Sequence, residues 1–244
     1  MGVRSFRTGT GQKKNATEKG IYRGRAESFL STRRTGLASV VSGGGGAYQL
    51  RIPYHAYGVN IGSFAMAYAP DFSTAPTTIE FSKDGGSLIT SFSGQQQSTS
   101  AAAWGELLVE LPDDGVVYFY YTSGSGYRGD FALDDIDIED PRTSTVLSTI
   151  DIGDSNFERG GSGQTQPLDH NGTFQVVNTG INNTIQGLWN LGSNGTPSGN
   201  TGPTTDHNGL LYGLFIFTEV SGSGNTPNKV YSLRTTNLIS EYIS

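Results

Sequence analysis

Acidic side chains crowd one short stretch of the chain, where they could bind a cation or move a proton. Five carboxylates stand close together there: Asp134, Asp135, Asp137, Glu139 and Asp140. Ca²⁺ takes roughly six to eight hard oxygen ligands in loosely constrained geometry, which carboxylates and loop carbonyls supply. Because side chains alternate between the two faces of a strand, we expect Asp135, Asp137 and Glu139 to share one face. The stretch is therefore a candidate structural cation site.

The other residues that could take part in catalysis or metal binding give weaker indications of function. His55, His170 and His207 lie far apart without a metal-ligand spacing, and we expect His207 to hold a loop through hydrogen bonds. No nucleophile elbow, phosphate-binding loop or dinucleotide fingerprint occurs in the sequence. A glycosidase would require aromatic residues in its cleft, and none accompanies the acidic residues in this sequence. The sequence predicts a non-enzymatic protein in which Trp104 and Trp189 are core anchors rather than sugar platforms.

The composition is typical of an all-β protein. The 244 residues include 35 glycines, 11% aromatic residues and only 16% charged residues, and no segment has a sustained helical period. The absence of cysteine excludes disulfides and thiolate zinc sites, and suits a reducing compartment. No apolar run approaches the roughly 18 residues of a membrane helix, and the N-terminus lacks a signal-peptide core. We expect a soluble protein that is not exported by the Sec route.

Strands are predicted throughout the chain after residue 46. The Asp84-Gly85-Gly86 turn predicts a hairpin, because these residues tolerate the left-handed backbone that matches strand twist. From Trp189 a long loop rich in Gly, Pro, Asn and Thr leads to the Asp206-His207 pair. The apolar residues Leu210–Val220 then predict a strand buried on most of its surface. Before that loop, the predicted strands cover 47–58, 62–68, 77–82, 87–93, 104–112, 116–122 and 127–138.

Several of these stretches resemble the MAM domain, a jelly-roll adhesion module. W-N-L-G-S-N-G-T-P-S-G-N-T-G-P-T-T-D-H at 189–207 resembles part of the family's N-terminal half, and N-F-E at 156–158 resembles its opening. Y-Q-L-R-I-P-Y-H-A-Y-G at 48–58 resembles a strand of the C-terminal half. G-D-F-A-L-D-D-I at 129–136 resembles the closing strand of the family. The resemblance implies a jelly-roll-like antiparallel β-sandwich over residues 47–244.

The two halves of the family pattern stand in permuted order. Residues 47–138 resemble its C-terminal half, residues 139–154 form a join, and residues 155–244 resemble its N-terminal half. A permuted chain is tolerated where the original termini lie close together and the new ones fall in an exposed turn. The alternative is that each half is completed by strand exchange with a neighbouring subunit. We favour closure within one chain, which predicts that Trp189 is largely buried.

The resemblance also implies a set of cation ligands. Carried over by position, the family's carboxylates are Asp135, Glu158 and Asp206, with Asp154 nearby, and Ca²⁺ is the candidate ion. Permutation then predicts that Asp206 lies within one cation site's reach of Asp135. The alternative is that Asp135 caps the backbone of a neighbouring loop while Glu158 pairs with an arginine such as Arg128.

A basic arm precedes this acidic body. Residues 1–45 hold nine Lys or Arg against two acidic residues, a net +7, whereas residues 46–244 hold seven against twenty, a net −13. Residues 1–46 contain few apolar groups, so the arm is either a solvated tail or, as we favour, a segment that orders on an acidic partner. Its aromatic residues are too few to favour nucleic acid. The basic residues are Arg4, Arg7, Lys13, Lys14, Lys19, Arg23, Arg25, Arg33 and Arg34.

A recognition sandwich with a basic arm, no cysteine and no export signal predicts a structural protein of a phage virion. The candidate positions are a tail, a fibre adaptor or a capsid decoration, assembled in the host bacterial cytoplasm and homo-oligomeric. The arm would bind other virion proteins, and the body would contact other subunits or a glycan of the host surface. The alternative is an adhesin or carbohydrate-binding module at a bacterial cell surface.

Overall fold

The computed structural model describes residues 47–151, 166–167, 174–176, 189–220 and 228–243. Every described strand lies within residues 45–244. The predicted arm, Asp154 and Glu158 lie outside the described residues. Within the described part there is no α-helix, and hence no helix long and apolar enough to cross a membrane.

The protein is all-β, and its strands form a jelly-roll-like sandwich of two antiparallel sheets. A short 3₁₀-helix, Ile239–Tyr242, follows the last strand. The strands are β1 (Tyr48–Ala56), β2 (Ser63–Ala69), β3 (Thr77–Thr78), β4 (Phe81–Lys83), β5 (Leu88–Ile89), β6 (Ser91–Ser93), β7 (Gly105–Leu111), β8 (Val116–Thr122), β9 (Phe131–Leu133), β10 (Ile136–Asp140), β11 (Thr145–Ile150), β12 (Gln166–Pro167), β13 (Phe174–Val176), β14 (Trp189–Gly192), β15 (Phe215–Thr218) and β16 (Val230–Thr235).

The two sheets differ in size. The first sheet has ten strands in the order β12-β14-β15-β9-β1-β7-β4-β5, and β10 pairs with both β1 and β11. The second sheet has six strands in the order β13-β16-β8-β2-β3, and β6 pairs with β2. Strands β9 and β10 therefore lie one after the other along the same side of β1.

Strand pairing brings the earlier segment, 47–151, and the strands of the later segment, 189–243, together within one chain. In the first sheet, β9 pairs with β1 through Tyr54 and Leu133, and with β15 through Leu133 and Ile216. In the second sheet, β16 of the later segment pairs along β8 of the earlier one. Neither segment is left with an open half-sandwich, which would expose an apolar face and unpaired strand edges. The described strands therefore pair within one chain, and closure within one chain rather than by exchange between subunits stays a prediction.

Aromatic rings from both sheets meet at Phe131 in the core. Its ring stacks on Phe64 with centroids 4.7 Å apart and on Tyr121 at 5.2 Å. Trp189 meets the same ring edge-on at 6.4 Å and is completely buried, as predicted. Such aromatic pairs stabilise a core beyond the area that they bury.

The turn between β4 and β5 is the hairpin that Asp84-Gly85-Gly86 predicts. Strands β4 and β5 pair through Ser82 and Leu88, and the turn between them has positive φ at Asp84 (53°) and Gly85 (70°). Two successive left-handed residues are the geometry that a tight hairpin requires.

Two elements differ from the sequence expectation. The predicted strand Leu210–Val220 is shorter, because Asp206 folds the chain back through a hydrogen bond from the Leu210 amide to its Oδ1 at 2.7 Å. Leu210, Leu211 and Tyr212 are consequently 60%, 45% and 55% exposed. The predicted join at 139–154 is also more regular than expected, since it contains β11, which forms a hairpin with β10.

Replacing Phe131 by alanine should destabilise the fold strongly. The substitution removes a fully buried ring that touches both sheets, and we expect a loss of about 3–5 kcal/mol in the free energy of unfolding. Urea denaturation followed by tryptophan fluorescence measures it. The control is Phe72→Ala, at a ring that is 44% exposed, which should lose less than about 1 kcal/mol. Equal losses in the two variants would contradict this description of the core.

Candidate functional site

The acidic site lies in the break between β9 and β10. Strand β9 ends at Leu133 and β10 begins at Ile136, so Asp134 and Asp135 lie in the break between them. Asp134 is almost completely buried. Its Oδ1 accepts a hydrogen bond from the Asp135 amide at 2.9 Å, and its Oδ2 accepts one from the His207 amide at 2.8 Å. A buried carboxylate is stable here because backbone donors replace the water it has lost.

The side chain of His207 lies against the same carboxylate. Its Nδ1 is 2.9 Å from Asp134 Oδ2, and 27% of the side chain is exposed. The contact with Asp134 raises the pKa of His207, burial opposes this change, and the negative charges of Asp134, Asp135 and Asp206 support it. The pair holds the 193–209 loop on the break between β9 and β10, which is the loop-holding role predicted for His207.

The cluster that comes together is Asp134, Asp135 and His207, with one possible ligand atom of each within 4.8 Å of the others. Asp206 does not belong to it. Its Oδ1 accepts the Leu210 amide, and its Oδ2 lies so near Gly213 that an added Cβ there would stand 1.8 Å away. Asp135 therefore meets Asp134 and His207 in this cluster, and its approach to Asp206 stays a prediction.

The donor set of the cluster does not match Ca²⁺. Two carboxylates and one imidazole supply fewer oxygens than Ca²⁺ takes, and an imidazole nitrogen suits transition ions better. The predicted ligands Glu158 and Asp154 lie outside the described residues. Calcium binding at this end of β9 therefore stays a prediction.

The remaining carboxylates of the stretch serve the sheet. Asp137 accepts a hydrogen bond from Thr149 Oγ1 at 2.6 Å, on the neighbouring strand β11. Glu139 is almost completely buried and binds Arg51, with 2.6 Å between Arg51 Nε and Glu139 Oε1. A register shift between Ile138 and Glu139 interrupts the simple alternation expected of this strand.

The 193–209 loop is fixed to the earlier segment at several points. The Thr201 hydroxyl donates to the Tyr57 carbonyl at 2.9 Å, and the Thr204 amide donates to the Ser100 carbonyl at 2.9 Å. The indole of Trp104 donates to the Thr205 carbonyl at 3.2 Å. These bonds explain how a loop of turn residues acquires one defined conformation.

Trp104 belongs to a second apolar cluster on the outer face of the first sheet. It is partly buried and packs on Ala132, Phe215 and Phe217, at 6.0 Å from the Phe215 ring. It also lies 5.5 Å from the ring of the buried His55. The two predicted anchors therefore have different places, since Trp189 lies between the sheets and Trp104 covers the outside of one.

A shallow groove of about 440 Å³ runs beside Trp104. Its lining combines the indole with small residues of the 101–103 turn and with the polar groups of Glu106, Asp206 and His207. The exposed residues Leu210–Tyr212 follow directly in sequence. No local sequence pattern predicts this groove, because residues distant in the chain create it.

Comparison with protein-family models finds no model that matches this chain, and comparison with solved structures finds no matching structure. Function is therefore inferred from the chain's own charges, contacts and surfaces.

The His207–Asp134 contact should make stability depend on pH. Because the folded state raises the pKa of His207, the protonated pair stabilises the fold below the unfolded value of about 6.5, and this contribution is lost as the pH rises through the folded value. Between pH 5.5 and 8.5 the wild type should lose on the order of 1 kcal/mol more than His207→Gln. Urea unfolding at both pH values measures the difference.

The matched control is Asp134→Asn, which should remove the same pH-dependent difference by neutralising the partner. Identical pH profiles for the wild type and His207→Gln would show that the pair does not stabilise the fold.

Proposed function

We propose that this chain is a non-enzymatic structural and adhesion protein of a phage virion, anchored through its basic arm. The sandwich then presents its loops to other subunits or to the host. The observation that carries the proposal is the division of charge, +7 on residues 1–45 and −13 on residues 46–244. Opposite charges on two parts of one chain favour ordered assembly on an acidic neighbouring surface, including that of a second copy.

The roles of three acidic groups, of which Asp134 and Glu139 are buried, support a structural function. Asp134 holds the 193–209 loop, and Glu139 pairs with Arg51 across the first sheet. Asp114 accepts hydrogen bonds from the amide and hydroxyl of Ser240 at the 3₁₀-helix. Each of these carboxylates is committed to a backbone or side-chain partner, which suits a stable scaffold better than proton transfer.

The surface near the loop supports a contact function. Leu210, Leu211 and Tyr212 form an exposed apolar tip beside the groove at Trp104. Exposed apolar residues grouped in this way are typical of surfaces that bind another macromolecule. We assign this tip to the contacts of the sandwich, and the arm to anchoring.

Neutralising the arm should release the protein from the particle. In the test, the full chain is mixed with virions from its source culture, and gold-labelled antibodies against the sandwich locate it by electron microscopy. The variant changes all nine Lys and Arg of residues 1–45 to Gln. We expect labelled particles with the wild type, at least tenfold fewer with the variant, and weaker labelling at 500 mM than at 50 mM salt.

The matched control exchanges each arm lysine for arginine and each arm arginine for lysine, which preserves the charge and should preserve the labelling. Labelling confined to the bacterial envelope, or labelling that ignores both the neutral variant and the salt, would contradict the proposal.

A second candidate function is glycan binding, which the groove at Trp104 favours. An indole face beside carboxylate and imidazole groups is a combination that stacks on a sugar ring and binds its hydroxyls. This function corresponds to a bacterial surface adhesin or carbohydrate-binding module.

On a glycan array, groove binding predicts signals that fall at least tenfold in Glu106→Gln. Glu106 lines the groove, and its side chain is 39% exposed. Glu110→Gln is the control, because Glu110 is exposed on the same strand outside this groove and should leave the signals unchanged. No glycan signal from the wild type would set this candidate aside.

A further inference from the structure

Two loops meet at the end of the sandwich where β8 leads into β9. The 123–130 loop contacts the 57–62 loop through a hydrogen bond from the Asn60 amide to the Arg128 carbonyl, at 2.9 Å. The side-chain amide of Asn60 also donates to Ser125 Oγ at 3.4 Å. Backbone and side-chain bonds therefore join the two loops into one surface.

Close packing fixes the backbone of these loops. An added Cβ at Gly58 would stand 2.3 Å from the Arg128 carbonyl oxygen, so the two backbones approach too closely for a side chain between them. The Tyr121 hydroxyl donates to the Gly129 carbonyl at 2.6 Å and is buried. A surface that is ordered in advance loses little conformational entropy when a ligand binds.

Tyr127 and Arg128 form a platform on the 123–130 loop. The guanidinium carbon of Arg128 lies 5.3 Å from the centroid of the Tyr127 ring, and Tyr127 is 50% exposed. Arg128 forms no ion pair with a described residue, and its Nε is buried without a hydrogen-bond partner among them. Residues 46–244 carry a net charge of −13, so carboxylates are abundant around it. The described residues nevertheless leave this guanidinium unsatisfied.

The composition of the two loops is typical of a recognition surface. S-G-S-G-Y-R-G at 123–129 and Y-G-V-N-I-G at 57–62 combine Tyr, Ser, Gly and Asn with one Arg. Antibody loops are enriched in the same residues, because Tyr provides a rigid contact surface, Ser and Asn provide adaptable hydrogen bonds, and Arg provides a strong anchor.

The small apolar area of these loops favours a small ligand over a protein. Within residues 57–62 and 123–130, Val59 and Tyr127 are the only large apolar side chains that are exposed. A stable protein interface buries roughly 800 Å² on each partner around an apolar core, which two separate side chains do not supply. A sugar unit requires one aromatic face and a few polar groups.

The chemistry of the platform selects a negatively charged sugar. We propose that Tyr127 and Arg128 bind a carboxylate-bearing sugar unit of a polysaccharide. The sugar ring packs on Tyr127, its carboxylate pairs with the planar fork of Arg128, and its hydroxyls bind Ser125 and Asn60. None of these four residues lines the groove at Trp104, so the site is separate from it. The inference rests on the proposed function only for the source of the sugar, which is the host surface.

Isothermal titration calorimetry of the full chain tests the class of ligand. The acidic probes are trimers of glucuronate, galacturonate and mannuronate, together with N-acetylneuraminyl-lactose. The neutral counterparts are the methyl esters of the trimers, and lactose. We expect at least one acidic probe to bind at least tenfold more tightly than its neutral counterpart, and more weakly at 500 mM than at 50 mM salt.

Substitutions at the platform test which groups bind the sugar. Arg128→Lys keeps the charge but loses the planar fork, so binding should weaken at least tenfold. Tyr127→Ala should weaken binding similarly, and Tyr127→Phe, which keeps the ring, should not. The matched control is Arg234→Lys, which should bind as the wild type does. Arg234 also lies over an aromatic ring, 4.8 Å from the centroid of Phe72, but it pairs with Tyr118 near the start of β8.

Four results would overturn the proposal. The first three are no binding of any acidic probe, equal affinity for each acidic probe and its neutral counterpart, and undiminished binding by Arg128→Lys. The fourth is tighter binding of a penta-glutamate peptide than of every acidic sugar, because the partner would then be an acidic protein. The virion labelling test changes only residues of the arm, so either proposal can fail while the other stands.

Discussion

The stacking of Phe131 between rings of both sheets is the interaction on which the rest of the structure depends. Phe64 and Tyr121 come from the second sheet, and Trp189 comes from the later segment of the chain. The strand that carries Phe131 pairs with β1 on one side and β15 on the other. One short strand therefore joins the two sheets through its side chains, and the earlier and later segments of the chain through its backbone.

Two buried carboxylates flank this strand. Asp130 stands just before β9 and Asp134 just after it, and each holds the same long loop, through Thr201 in one case and His207 in the other. Their surroundings differ in exposure. His207 is open to solvent in part, whereas the Asp130 carboxylate is enclosed. A buried carboxylate needs compensation, which Asp134 receives from the Asp135 and His207 amides.

The sequence predicted the fold class well because its signals are local. Alternating apolar residues and the Asp84-Gly85 turn both depend on the backbone close to them in sequence. The site was predicted only in part. Asp135 lies in the cluster, but the roles of its neighbour Asp134 and of Asp206 depend on a strand break and a turn that pattern alone does not reveal. The groove at Trp104 combines distant residues, and no local pattern encodes it.

The central claim is that both segments close into one sandwich within a single chain. Amide hydrogen exchange of the full chain at two protein concentrations tests it most directly. The account predicts that β8, β9, β15 and β16 exchange slowest, with one common free energy of opening that does not change with concentration. Protection of β15 and β16 that rises with protein concentration would contradict it, since strands paired between molecules follow mass action.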